Sequence, residues 1–195
     1  MKFFVDSADP SEIRACALQG IIHGVSVGAS PGALDGPTLV REICQIFRGP
    51  VSAAVVGGDQ NDEDAMLGLA RALARIAPNV VVKLPFTDER LMLVRACASE
   101  GIKTNVTRCS SPVQALQAAQ AGAAYVSPFG DRVDDIADLD LVRKIVAVYK
   151  TYGIATEVLL ASVRSASDIV EAALAGAQIA TVPFAILRQI TEQRP

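Results

Sequence analysis

The stretch Val80-Val81-Val82-Lys83-Leu84-Pro85-Phe86 decides how this chain is read. Its β-branched residues mark a strand. Apolar residues occupy successive positions rather than alternate ones, so both faces of the strand are expected to be covered. Strands of that kind belong to parallel sheets packed beneath helices. Working outward, comparable short runs occur at 2–6, 24–28, 51–56, 103–107, 124–128, 155–161 and 178–182. Helical patterns lie between them, near 10–18, 37–47, 61–76, 88–99, 112–121, 138–150, 167–175 and 184–192. In 61–76 the apolar set is Met66, Leu67, Leu69, Ala70, Leu73 and Ile76, the spacing of one helix face. Eight successive βα units predict an α/β fold, a single (β/α)8 TIM barrel forming one domain over residues 1–195. An open doubly wound sheet is the competing arrangement.

Local signals agree with these helices. Ser7 or Asp9 can cap the helix that opens with Pro10. Asn61-Asp62-Glu63-Asp64 offers a cap and places negative charge where the helix dipole favours it. Ser165, Ser167 and Asp168 can cap the helix that ends near Ala175-Gly176.

The 195 residues are 51% hydrophobic and 20% charged, which suits a well-cored globular chain. Net charge is -3, from 18 basic and 21 acidic residues, and this balance argues against nucleic acid or an anionic membrane as partner. Aromatic residues are only 5% and Trp is absent, so a base-stacking platform is not expected either. No run approaches the ~20 apolar residues that span a bilayer. Asp6 interrupts the apolar N-terminus before a signal-peptide core can form, so the expected location is the cytoplasm. Cys16, Cys44, Cys97 and Cys109 lack CxxC spacing and read as buried reduced thiols rather than a disulfide framework or zinc site. His23 is the only histidine, which excludes a multi-histidine metal site.

In a parallel barrel, side chains at the carboxyl ends of the strands converge on one mouth, where catalysis takes place. The first strand ends in Asp6, the second carries Ser26, the fourth Lys83, and the fifth Asn105 and Thr107. Arg132 follows the sixth strand; Ser162 and Arg164 follow the seventh. Lys83 stands out, because burying an ammonium costs several kcal/mol unless it is paired, and such lysines titrate low. A neutral amine attacks carbonyls. The plainer reading is a lysine paired with an acid for structure, and Asp6 can serve as that acid or as a proton shuttle. Arg132, Ser162 and Arg164 come from the later loops, where phosphate sites recur, and arginine forks suit phosphate oxygens. A solvated Arg132 neutralised by Asp131 and Asp134 is the alternative.

Taken together, several segments resemble the small transaldolases and fructose-6-phosphate aldolases. They are Phe4-Val5-Asp6-Ser7-Ala8, Val80 to Pro85, Gly101 to Thr107, Ala124-Tyr125-Val126-Ser127-Pro128-Phe129, Thr156 to Arg164 and Ala175 to Pro183. The resemblance covers nearly the whole chain. It implies a (β/α)8 barrel of the class I aldolase type, with Lys83 forming a Schiff base with a ketose carbonyl. It further implies that Asp6 assists proton transfer and that Thr107 helps hold the catalytic water. Ser26, Asn105, Ser127, Arg132, Ser162 and Arg164 would bind the substrate, a carbonyl compound or sugar phosphate. No metal or other cofactor is implied. A homo-oligomer is implied, although members of the family usually continue beyond the equivalent of Pro195 into a helix that reaches a neighbouring subunit.

Departures from the family pattern cluster at the mouth. The family's Thr-Thr-Asn-Pro-Ser is Ser26-Val27-Gly28-Ala29-Ser30, so its donor-binding asparagine is replaced by Gly28. The third-strand glutamate of transaldolases, glutamine in the aldolase branch, is Ala54. The aldolase tyrosine after the sixth strand is Phe129, and Gly130-Asp131 stand where Val-Gly is common, with Asp131 as a possible substitute acid/base. Losing a proton shuttle costs about 10²–10⁴-fold, so ordinary transaldolase turnover is expected to be weak. The sequence therefore predicts an aldolase or transaldolase-like enzyme with altered donor specificity. The alternatives are a homologue that binds a sugar phosphate or a protein without turnover, and an isomerase-type barrel using Asp6 as base.

Overall fold

The computed structural model describes residues 1–28, 36–57, 62–129, 139–161 and 163–192. Strands and helices alternate throughout: β1 (Lys2–Asp6), α1 (Pro10–Gln19), β2 (Gly24–Val27), α2 (Gly36–Ile46), β3 (Val51–Ala54), α3 (Glu63–Ala74), β4 (Val80–Pro85) and α4 (Arg90–Ser99). They continue as β5 (Thr104–Cys109), α5 (Pro112–Gln120), β6 (Tyr125–Pro128), α6 (Leu139–Tyr152), β7 (Glu157–Leu160), α7 (Ala166–Leu174), β8 (Ile179–Pro183) and α8 (Phe184–Glu192). Each strand is parallel to its neighbours, and β8 bonds back to β1 with Phe4 opposite Thr181, so the sheet is a closed (β/α)8 barrel. Closure decides against the open sheet.

The expected helix signals are used. Asp9, not Ser7, caps α1 by accepting from the Ser11 amide at 2.7 Å, and Pro10 fills the first turn. Asp62 caps α3 by accepting from the Ala65 amide at 3.0 Å. Ser165 and Asp168 form a reciprocal capping box on α7. Of the apolar set in α3, Met66, Ala70 and Leu73 are buried and Leu67, Leu69 and Ile76 pack partly against them.

Alternation along the strands divides the core in two. Outward residues such as Val25, Val82, Leu84, Val106 and Val158 pack under the helices, together with the four cysteines, all buried and free. Inward residues Phe4, Val81, Tyr125, Leu159 and Ile179 fill the barrel, with the Phe4 and Tyr125 rings edge to face at 5.9 Å. At the amino end, the Lys2 ammonium pairs with the Glu157 carboxylate at 2.8 Å. The interior is therefore a plugged core that supports the mouth from beneath.

Gly24 makes that plug possible. A Cβ built on it would meet the Phe4 ring at 2.3 Å. Phe4 is almost fully buried and cannot retreat, so Gly24→Ala is expected to destabilise the protein by about 1–3 kcal/mol. Denaturant unfolding checks this through a lowered midpoint with an unchanged slope.

Three strand boundaries differ from expectation. β3 stops at Ala54, because Val56 turns out to solvent (62% exposed) and Gly57 takes a positive φ of 93°. β7 spans only Glu157–Leu160, and Thr156 before it instead donates its hydroxyl to the Ala123 carbonyl at 2.8 Å. β5 runs on to Cys109 through a bulge between Thr107 and Cys109, where Arg108 adopts φ 62°.

Candidate active site

Register places the polar residues at one end. Asp6 lies opposite Ser26, Ser26 opposite Ser52, Ala54 opposite Lys83, Lys83 opposite Asn105, and Thr107 opposite Ser127. All of these point inward, because they share the two-residue phase of Phe4, Val81 and Tyr125. A lysine at the carboxyl end of β4 thus stands at the barrel mouth above the apolar plug.

The Lys83 Nζ donates to Ser26 Oγ at 3.3 Å. That bond spans from β4 to β2, so the lysine side chain crosses β3 at the level of Ala54. Burial pushes the ammonium below its ordinary pKa, and the Asp6 carboxylate opposes this only in part. In turn, burial pushes the Asp6 carboxyl above the usual carboxylate range, while the Lys83 charge pulls it down. Asp6 keeps solvent access at the rim, so the two groups act on each other through the mouth rather than as a sealed ion pair. The effect of each is to favour transfer of a proton between them: the amine is readier to be neutral and the acid readier to be protonated.

Beneath them runs a buried hydrogen-bond chain. Asn105 Nδ2 donates to Ser52 Oγ at 3.1 Å, and Ser127 Oγ donates to Asn105 Oδ1 at 3.0 Å. Asn105 is 1% exposed and Ser52 fully buried, so both ends of the amide are held. Thr107 Oγ1 donates to the Leu84 carbonyl at 3.3 Å, which leaves its lone pairs for an incoming donor.

The structure therefore brings Asp6, Ser26, Lys83, Asn105, Thr107 and Ser127 to one mouth. Arg164 sits at the carboxyl end of β7, where its amide donates to Asp168 Oδ2 at 2.7 Å. Arg132, Ser162 and Asp131 lie outside the described residues. Phe129 follows β6 and is 44% exposed at the same end. No cluster of three or more His, Cys, Asp or Glu suited to a metal ion is found among the described residues.

Ser52 is a residue that sequence reasoning passed over. It lies mid-strand in Val51-Ser52-Ala53-Ala54 and looks like a neutral filler. Only its phase, two residues before Ala54, signals that it faces the interior. Ser52→Ala would leave the buried Asn105 amide short of an acceptor, at a cost of about 1–3 kcal/mol. Thermal unfolding is expected to show the loss, while Ser52→Thr, which keeps the acceptor, recovers part of it.

A parallel barrel with an amine, a carboxyl group and hydroxyls converging at its carboxyl-end mouth has the make-up of a metabolic enzyme. Residues 37–194 match the family model described as Transaldolase/Fructose-6-phosphate aldolase. A probable transaldolase from Sorangium cellulosum (strain So ce56) is 48% identical over 196 residues, covering 98% of this chain and 89% of that protein. A probable transaldolase from Thermodesulfovibrio yellowstonii is 46% identical over 195 residues, covering 97% of this chain and 90% of that protein. The chain belongs to the transaldolase/fructose-6-phosphate aldolase family and is a transaldolase- or aldolase-like enzyme. A solved mandelate oxidase mutant carrying an FMN adduct superposes with a TM-score of 0.65 at 16% identity, over 94% of this chain and 62% of that one. That likeness is one of barrel architecture alone. No helix among the described residues is long and apolar enough to cross a membrane.

Proposed function

We propose that this protein makes or breaks a carbon–carbon bond through a Schiff base on Lys83, in a phosphorylated sugar-type carbonyl substrate, with a donor specificity of its own. The observation that carries the reading is the half-buried Lys83 amine, pushed toward neutrality, reaching across the mouth to Ser26 beside Asp6.

The chemistry follows from those groups. The neutral Nζ adds to the carbonyl carbon, and its proton passes to the carbonyl oxygen. A proton from the Asp6 carboxyl carries that hydroxyl away as water, leaving the protonated imine. The iminium then accepts the electron pair of the bond two atoms away. Retro-aldol cleavage, in which the β-hydroxyl proton passes to the Asp6 carboxylate, releases an aldehyde and leaves an enamine on Lys83. Protonation of the enamine and attack of water return the lysine and the second carbonyl product. Thr107, with lone pairs facing the mouth, would hold that water. Arg132, which follows β6 in sequence, and Ser162 and Arg164, which follow β7, would receive the phosphate. Asn105 and Ser127, locked to each other, would shape the floor and offer their remaining hydrogen-bond capacity to the substrate.

A second reading has its own supporting observation. Gly28, Ala54 and Phe129 stand where the family pattern carries its asparagine, its glutamate or glutamine and its tyrosine, as expected of a homologue that binds a sugar phosphate without turnover. Retro-aldol turnover of ketose or deoxyketose phosphates separates the two. Product formation that disappears in Lys83→Ala supports the enzyme. A thermal shift with sugar phosphates but no product supports the binding protein.

A further inference from the structure

We infer that the carbonyl donor bound at Lys83 is poor in hydroxyls, an aldehyde or methyl ketone of the acetaldehyde or acetone type whose α-carbon carries hydrogens. This rests on the imine reading above and names the substrate class for the same site.

The argument begins with where the amine lies. Lys83 bonds Ser26, two strands away, so its Nζ is drawn toward the β2–β3 side of the mouth. A carbonyl carbon joined to Nζ therefore sits against that wall. In the wall, Ala54 is opposite Lys83, and extending the register of Val27 with Ala53 places Gly28 beside Ala54. One residue offers a methyl group and the other a hydrogen. Among the described residues nothing lies within 4 Å of a Cβ built on Gly28.

Among the described residues, the other polar groups of the mouth already have part of their hydrogen-bond capacity taken. Asn105 is held at both ends of its amide by Ser52 and Ser127. Ser26 Oγ already accepts from Lys83. Asp6 is wanted for proton transfer. Thr107 remains, on β5, beyond Lys83 from that wall. Hydroxyls on a donor's first and third carbons would leave water for a wall whose described residues, Gly28 and Ala54, carry no side-chain group to bond them. An apolar pocket discriminates against a single added hydroxyl by up to about 10²-fold.

The test is covalent trapping with sodium borohydride, following the intact mass of the protein. Acetone, hydroxyacetone and 1,3-dihydroxyacetone are compared at one concentration, each rate divided by that for a simple alkylamine to remove intrinsic carbonyl reactivity. Acetone is expected to label at least roughly tenfold faster than dihydroxyacetone, with hydroxyacetone between. Gly28→Asn, whose Cβ would meet none of the described residues, is expected to move that ratio toward dihydroxyacetone. Equal or faster labelling by dihydroxyacetone would overturn the inference while leaving the imine intact. Failure of all three carbonyls to label would instead overturn the imine reading on which it rests.

Discussion

Replacing Lys83 by methionine is expected to abolish carbon–carbon bond cleavage, lowering kcat by on the order of 10⁴-fold or more, and at the same time to stabilise the fold. The two effects have one cause. In the proposed mechanism the amine is the nucleophile, and no other described residue of the mouth can form an imine, so its loss removes the covalent route and not merely one contact of it. Yet the same amine is desolvated without a tight ion pair. Methionine keeps the unbranched stem and removes the ammonium, which is worth roughly 0.5–2 kcal/mol of stability. The pH dependence identifies the source. The folded pKa of Lys83 lies below its ordinary 10.5, so between the two values the unfolded chain binds more protons than the native one. Stability contributed by this group therefore rises with pH across that window. Chemical denaturation between neutral and alkaline pH is expected to show the rise in the parent protein and a flatter profile in Lys83→Met. Lower stability of the variant would mean that the ammonium is well paired, contrary to the geometry.

Asp6→Asn carries the second large effect. The carboxyl of Asp6 is held above the usual carboxylate range by burial and lies opposite Ser26, to which the amine bonds. Amide replacement removes both the proton that Asp6 delivers in the proposed mechanism and the charge that favours protonated Lys83. Turnover is expected to fall by about 10²–10⁴-fold, the ordinary worth of a positioned acid or base. The pH profile of kcat/KM is the informative readout. Without Asp6, the lysine loses its one stabilising charge and its pKa falls further, so the limb reporting the amine is expected to move to lower pH. An unchanged limb would show that Asp6 acts only by holding the strand end. Deletion of the groups proposed to bind phosphate, in contrast, is expected to raise KM with little movement of that limb.

Much of this was legible in the sequence because it rests on patterns that survive without coordinates. The doubly covered strand around Lys83, the alternation of eight strands with eight helices, and the caps at Asp9, Asp62 and Ser165 are local signals that agree with the global fold. Lys83 itself was legible as a charge where the strand should be apolar. What escaped depends on register and phase. Ser52 carries no mark in its own sequence, and only pairing across β2, β3 and β5 shows it under Asn105. The bulge at Arg108 was equally hidden, because Thr107-Arg108-Cys109 contains none of the glycine or asparagine that usually announces a positive φ. The end of β3 was misplaced for the converse reason: Val55 and Val56 have strand-forming side chains, but Val56 faces water rather than a partner strand. Nor did the sequence show which way the lysine leans. Its reach over Ala54 to Ser26 is what turns two small residues, Gly28 and Ala54, into a statement about the donor.

The central claim is that Lys83 forms the covalent bond to substrate. Incubating the protein with a carbonyl donor and sodium borohydride, then mapping the modified residue by peptide mass spectrometry, tests it most directly. The account predicts one adduct per chain, located on Lys83, with parallel loss of activity and no labelling of Lys83→Met. Labelling spread over the exposed lysines, or full activity after exhaustive reduction, would contradict it.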